Sequence, residues 1–315
     1  MSSNLKQQGL SVVHNPTEKA TVDIVLVHGL NGHPKDTWTS DTGTFWPVDL
    51  LPQALGQTQA RVLTYGYNAT VQSFTDGNGS LGIQDIAETL ASTLAANRNL
   101  RVCSDRPIIF ICHSLGGIIV KRILIHSRSI SNEKVKHLRS ISLSTYGLVF
   151  LGTPHSIDDG GRGSMILQDL CDAVLPQQFV KTYPQWIKAL RENNETIRDT
   201  NSVFARLWNN FQICFCYETK GIGLGRKKYV VVDESSAAPV IEGADRIGIT
   251  ADHIHMCKID DASAPYWEIM AGILSRYCVE APRVVEAQWL EEKQESDAQK
   301  ESKAKGWRAG SVRQT

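Results

Sequence analysis

The sequence predicts an α/β fold, a mainly parallel central sheet with helices on both faces, and three observations carry that prediction. Continuous apolar runs at Ile24-Val25-Leu26-Val27, Ile108-Ile109-Phe110-Ile111 and Leu148-Val149-Phe150-Leu151, with another from Phe211 through Tyr217, read as strands buried on both sides. Helical segments alternate with them: from Leu81 to Leu94 the apolar residues Ile83, Ile86, Ala87, Leu90 and Leu94 share one helix face, with Asp85 and Glu88 left to solvent. The third observation is an abrupt junction, where the run at 108–111 passes through Cys112-His113-Ser114-Leu115-Gly116-Gly117 into Ile118-Ile119-Val120. Strands alternating with helices specify a parallel sheet, because a parallel crossover has to be long and is usually helical.

That junction is a sharp strand-to-helix turn with a serine at its apex, the place where a hydrolase keeps its nucleophile. Such a turn exposes the Ser114 hydroxyl and leaves the Leu115 N–H free to bind an oxyanion. The usual G-x-S-x-G pattern has glycine where this chain has Cys112. A small residue is needed there because strand and helix pack closely, and a thiol packs well in an apolar core. Gly116 and Gly117 supply the remaining room. The strand at 24–27 ends in His28-Gly29-Leu30-Asn31-Gly32, a loop whose backbone nominates the Leu30 N–H as the second oxyanion donor. His28 is expected to be structural, shaping this loop without transferring protons.

With the order serine, acid, histidine, the base lies late in the chain. Only His253 and His255 follow position 155, in Ala251-Asp252-His253-Ile254-His255-Met256-Cys257-Lys258. Were this a strand, His253, His255 and Cys257 would share a face and raise the question of zinc. No second Cys/His cluster has the required spacing, and the nearest, Cys214 and Cys216, lies inside a strand, so no metal is expected. For the acid, Glu218 is preferred because it ends the 211–217 run, where triad acids stand in such sheets. Asp233 and Glu234, after a strand read at Tyr229-Val230-Val231-Val232, remain rivals, as do Asp158 and Asp159.

Together these segments resemble one family. His28-Gly29-Leu30-Asn31-Gly32-His33-Pro34 with Thr37-Trp38, Phe45-Trp46-Pro47 with Asp49-Leu50-Leu51-Pro52, and Thr64-Tyr65-Gly66-Tyr67 belong to the pattern. So do the Ser114 turn, Leu151-Gly152-Thr153-Pro154-His155, Glu234-Ser235-Ser236-Ala237, and Asp252-His253 with Met256-Cys257-Lys258. The set is similar to the lipase-like branch of the α/β-hydrolases, which includes serine-active-site-containing proteins of mitochondria and endoplasmic reticulum linked to phosphatidylglycerol remodelling, and related fungal domains. The resemblance implies an α/β-hydrolase fold, His253 as base, an acyl ester or lipid substrate, no cofactor, and peripheral contact with a membrane. One departure stands out: the family continues Gly-Thr-Pro-His with Arg-Gly, whereas Ser156-Ile157-Asp158-Asp159 follows here, so the loop facing the substrate is expected to differ.

The chain is read as a flexible segment at 1–8, one hydrolase domain at 9–285 and a polar tail at 286–315. Residues 152–210 far exceed a simple crossover and are read as a cap excursion. Gly160-Gly161-Arg162-Gly163 would hinge it, and apolar residues between Met165 and Leu190 would pack it against the body or line an acyl surface. Gly221-Ile222-Gly223-Leu224-Gly225 leads into a basic strand with no following helix, so it is read as a loop and not a dinucleotide fingerprint. From Glu291 onward a fraying helix followed by disorder is expected.

Composition fits a globular enzyme, with 42% hydrophobic and 21% charged residues. Lys+Arg and Asp+Glu are 33 each, so the chain lacks the positive field that nucleic acid demands. Seven cysteines, several inside apolar strands, read as reduced core thiols of an intracellular, cytoplasmic protein. The first residues show neither an apolar signal core nor a transit peptide, and no stretch nears the roughly 20 apolar residues of a membrane span. The reading is a serine esterase or lipase-like enzyme. An acyltransferase with the same triad, and a non-catalytic binding module of the same fold, are the alternatives. Oligomeric state is left open.

Overall fold

The computed structural model describes residues 5–70, 82–155, 195–224 and 227–311. The expected cap lies largely outside these, with its glycine hinge, its apolar residues from Met165 to Leu190 and the rival acids Asp158 and Asp159.

Seven strands form one sheet: β1 (Gly9–His14), β2 (Val22–Val27), β3 (Ala60–Gly66), β4 (Ile108–His113), β5 (Thr145–Leu151), β6 (Gln212–Glu218) and β9 (Asp245–Ile249), in the order β1-β3-β2-β4-β5-β6-β9. Only β1 pairs antiparallel; every other neighbouring pair is parallel. Side chains alternate across the strands, so Val25, Val27, Phe110 and Cys112 enter one core, while Ile24, Leu26, Ile109 and Ile111 enter the other. On the first face lie α1 (Ile83–Asn99) and α2 (Leu115–Ser129); on the second lies α3 (Trp267–Ser311), through Trp267, Leu274, Tyr277 and Ala281.

Helix α1 begins where Asp85 Oδ2 accepts the Gly82 N–H at 3.0 Å, and it runs to Asn99, beyond the expected Leu94. The extra turn carries Arg98 to a buried carboxylate. Asp23, near the start of β2, accepts from Arg61 Nε and Nη2 at 2.9 and 2.8 Å, from Arg106 Nη1 at 3.0 Å, and from Arg98. One carboxylate thus holds β3, α1 and the approach to β4 against the N-terminal edge of β2, and Asp23, Arg61 and Arg98 are all buried.

Another buried basic side chain lies between α2 and the segment that follows β5. Lys121 of α2 donates to Asn201 Oδ1 at 2.7 Å and to the Pro154 carbonyl at 3.4 Å, and Asn201 Nδ2 donates to the same carbonyl at 3.2 Å. Burial pushes the Lys121 ammonium well below its ordinary pKa. Its Nζ lies 5.4 Å from the centroid of the Phe150 ring.

The structure departs from the sequence reading around residues 221–232 and adds detail elsewhere. The strand expected at 229–232 is instead a small antiparallel hairpin, β7 (Ile222–Leu224) with β8 (Lys227–Tyr229), so the glycine-rich stretch read as a loop supplies one of its strands. Val231 and Val232 are buried but outside any strand, since their amides are committed to a side chain described below. The edge place in the sheet falls to β9, whose Asp245, Arg246 and Gly248 break the apolar run that marks the other strands. The segment at 251–258 is a loop entering a short 3-10 turn at His255–Cys257, so His253 and His255 do not share a face. Past Glu291, α3 stays helical to Ser311.

Candidate active site

Ser114 occupies the junction of β4 and α2 at φ 53° and ψ −124°, a backbone conformation that a non-glycine residue rarely adopts. Its surroundings hold it there. The Ser114 N–H donates to Leu151 O at 2.8 Å, and its carbonyl accepts from Thr153 Oγ1 at 2.9 Å. The loop after β2 is pressed against the turn: a Cβ at Gly29 would stand 2.7 Å from that of Ser114, and side chains at Gly116 or Gly117 would meet the β2 backbone or Thr153. Cys112 is fully buried, and burial pushes its thiol far up, so it packs as a neutral core residue.

His253 and Glu218 meet below this turn. Glu218, at the C-terminal end of β6, is 3% exposed, and its Oε2 lies 2.7 Å from His253 Nδ1. Its other oxygen accepts the Val231 and Val232 N–H groups, which fixes the carboxylate face. His253 Nε2 is buried without a hydrogen-bond partner among the described residues. The ring lies against Gly152, at φ 58°, where a Cβ would come within 2.9 Å of Nδ1. The rival acids point elsewhere: Asp233 caps the turn at Glu234–Ala237 through the Ser236 N–H, and Glu234 pairs with Arg246 at 2.9 Å. His255 is half exposed and bonded to Asp252.

Ser114, His253 and Leu30 line one cavity of about 340 Å³, with Asn31, His33, Thr37, His113 and Lys258. Leu30 lines this cavity with Ser114, and Leu115, the residue after Ser114, is fully buried. The Leu115 N–H starts α2 and has no helical acceptor behind it. A larger groove of about 820 Å³, between α3 and the N-terminal edge of the sheet, contains none of Ser114, His253 or Glu218. The Ser114–His253 grouping therefore lies in the smaller cavity.

His28 is fully buried, and its hydrogen bonds define its tautomer. Nδ1–H donates to Gly29 O at 3.0 Å, while Nε2 accepts the Tyr67 N–H at 3.4 Å. Its ring stacks on Tyr67 at 4.3 Å, and burial pushes its pKa down to about 4. It is a neutral strut in the loop after β2. Among the described residues no group of three His, Cys, Asp or Glu side chains is placed to hold a metal ion. Sequence reasoning missed Gly152, the Val231 and Val232 amides, and the partner of His113; that partner lies 140 positions away, with no local signal.

A mostly parallel sheet with this turn at the C-terminal end of a central strand defines an α/β hydrolase. The chain belongs to the alpha/beta hydrolase family, whose model matches residues 24–285. It is similar to Protein SERAC1 of Mus musculus, 25% identical over 273 residues, covering 80% of this chain and 39% of the relative. Protein SERAC1 of Homo sapiens is 24% identical over 275 residues with the same coverage. These relatives fall in the branch that the motifs resemble, and the chain spans about two fifths of their length. Among solved structures, a monoacylglycerol lipase from Paleococcus ferrophilus aligns over 86% of this chain and 98% of its own, at 11% identity and a TM-score of 0.47.

Proposed function

We propose that the chain is a serine hydrolase that cleaves a carboxylic ester, of a lipid or another acyl compound, through an acyl-enzyme. The observation that carries this is the buried His253–Glu218 pair at 2.7 Å, whose histidine lines one cavity with Ser114. Because Glu218 accepts the Nδ1 proton, the neutral imidazole keeps its lone pair on Nε2, the atom left without a partner. When an ester enters, Nε2 takes the Ser114 proton as Oγ attacks the carbonyl carbon. Glu218 stabilises the imidazolium that forms, and the Leu30 and Leu115 N–H groups hold the oxyanion. The tetrahedral adduct then expels the alcohol, protonated by His253, and water repeats the cycle to release the acid. Ser114 Oγ and His253 Nε2 are not hydrogen-bonded in the substrate-free site, as is common before substrate tightens such contacts.

Against a non-catalytic module stands the investment at this site: a strained serine, glycines cleared around it, and a carboxylate oriented by two amides. No helix among the described residues is long and apolar enough to cross a membrane. The test is fluorophosphonate labelling of wild type, Ser114→Ala and His253→Ala. The wild type is expected to label rapidly, Ser114→Ala not at all, and His253→Ala at least about 10³-fold more slowly. Labelling that survives in Ser114→Ala, or is missing from the wild type, would overturn the reading.

A further inference from the structure

His113, the last residue of β4, precedes Ser114 and lines the same cavity, yet the mechanism above gives it no task. His113 is 8% exposed, and its ring stands 4.9 Å from that of His253, tilted by 44°. His113 Nε2 lies 2.9 Å from the backbone carbonyl oxygen of His253. A carbonyl only accepts, so Nε2 carries the proton. The ring is neutral, its pKa pushed down to about 3 by burial and the nearby His253. The lone pair is then on Nδ1, which is buried with no hydrogen-bond partner among the described residues.

The Nε2 bond attaches the loop bearing His253 to β4, while Lys220 N–H holds Ala251 O and Trp46 Nε1–H holds Cys257 O at its two ends. Asp252 organises it internally, its side chain accepting the Ile254 and His255 N–H groups and its carbonyl accepting the Met256 N–H. None of those bonds ties the loop to β4. Glu218 grips the imidazole by one nitrogen from β6. Gly152 admits the ring without fastening it.

We propose that His113 is a positioning residue, whose Nε2–H bond to the His253 carbonyl fixes the base loop against the strand that carries the nucleophile and so sets the Ser114 to His253 reach. This rests on the proposed roles of Ser114 and His253. The serine and the base are thereby referenced to one strand end, through adjacent residues, while Glu218 sets the tilt of the ring from β6, on the far side of β5.

The test compares wild type, His113→Leu and His113→Gln in hydrolysis of p-nitrophenyl acetate and in fluorophosphonate labelling. Leucine keeps the bulk and removes the donor; glutamine can place an amide N–H near the Nε2 position. His113→Leu is expected to lose about 100-fold in kcat with little change in KM, the cost of a base misplaced by about 1 Å, and His113→Gln to recover most of it. Wild-type kcat in His113→Leu, or equal impairment in the two variants, would overturn the proposal. Should His113→Leu not fold, ¹⁵N-histidine spectra of the wild type decide: a protonated Nε2 and bare Nδ1 at His113 support the bond, and the opposite tautomer rejects it. A wild type without Ser114-dependent labelling would sink the catalytic reading instead, and the tautomer would still judge the bond.

Discussion

At the scale of the residue, the site depends on a few oxygen and nitrogen atoms held with little freedom. Glu218 is the clearest case, because both carboxylate oxygens are engaged, one by His253 and one by two consecutive amides. Replacing it with glutamine preserves the shape but lets an amide N–H face His253 Nδ1, favouring the wrong imidazole tautomer. Glu218→Gln is expected to lower kcat by about 10³–10⁴-fold, while Asp233→Asn, which touches only a turn, stays within about threefold of wild type. Steady-state kinetics on the two variants checks this; the reverse ranking would move the acid to Asp233. Ser114, Leu30, Leu115 and His253 were legible in the sequence because the turn, the glycine loop and the late histidines are local patterns. Glu218 was legible only as the end of a strand, one carboxylate among several, since which of them meets the histidine depends on how β6 lies beside β5. His113 was not legible, because its neighbour Ser114 accounts for the whole motif and the bond it makes is long-range.

Among the elements, the strands buried on both faces declared themselves by unbroken apolar runs, and α1 by its period. The edge was obscure for a physical reason: β9 is covered on one side only, so Arg246 and Gly248 are tolerated where a central strand would need aliphatic side chains. The true end of α1 was hidden too, since Arg98 reads as a solvent-facing cation until Asp23 is found beneath it. That cluster governs how the N-terminal edge of the sheet is assembled. Asp23→Ala would leave Arg61, Arg98 and Arg106 without their shared carboxylate, two of them in buried positions. Loss of about 3–5 kcal/mol of unfolding free energy is expected, as for removal of one partner of a buried ion pair. Urea denaturation measures it, and a loss below about 1 kcal/mol would mean that water reaches the arginines and replaces the aspartate.

For the molecule as a whole, pH acts through histidines that burial keeps uncharged. His28 and His113 are pushed down from the ordinary 6.5 to about 4 and about 3, and His155 lies well below 6.5 because it is buried. In the unfolded chain the same rings take up protons once pH drops below about 6.5. The unfolded state then binds more protons than the folded one. Stability is therefore full above pH 6.5 and is lost as pH falls from 6.5 toward 4, and on toward 3, at up to about 1.4 kcal/mol per pH unit for each ring. The urea midpoint is expected to drop steadily between about pH 7 and pH 4.5; a flat midpoint across that range would show that these rings gain protons without unfolding.

Lys121, Asn201 and the Pro154 carbonyl form a buried three-way knot, joining one residue just before the long stretch after β5 to one just after its main part. A stretch fastened at both ends behaves as an exchangeable cassette. Lengthening it raises the closure cost only logarithmically, by about 0.6 kcal/mol per doubling, and the knot shields the sheet from the change. Evolution can thus change the length and content of that stretch without renegotiating the geometry of the strand ends that carry Ser114 and Glu218.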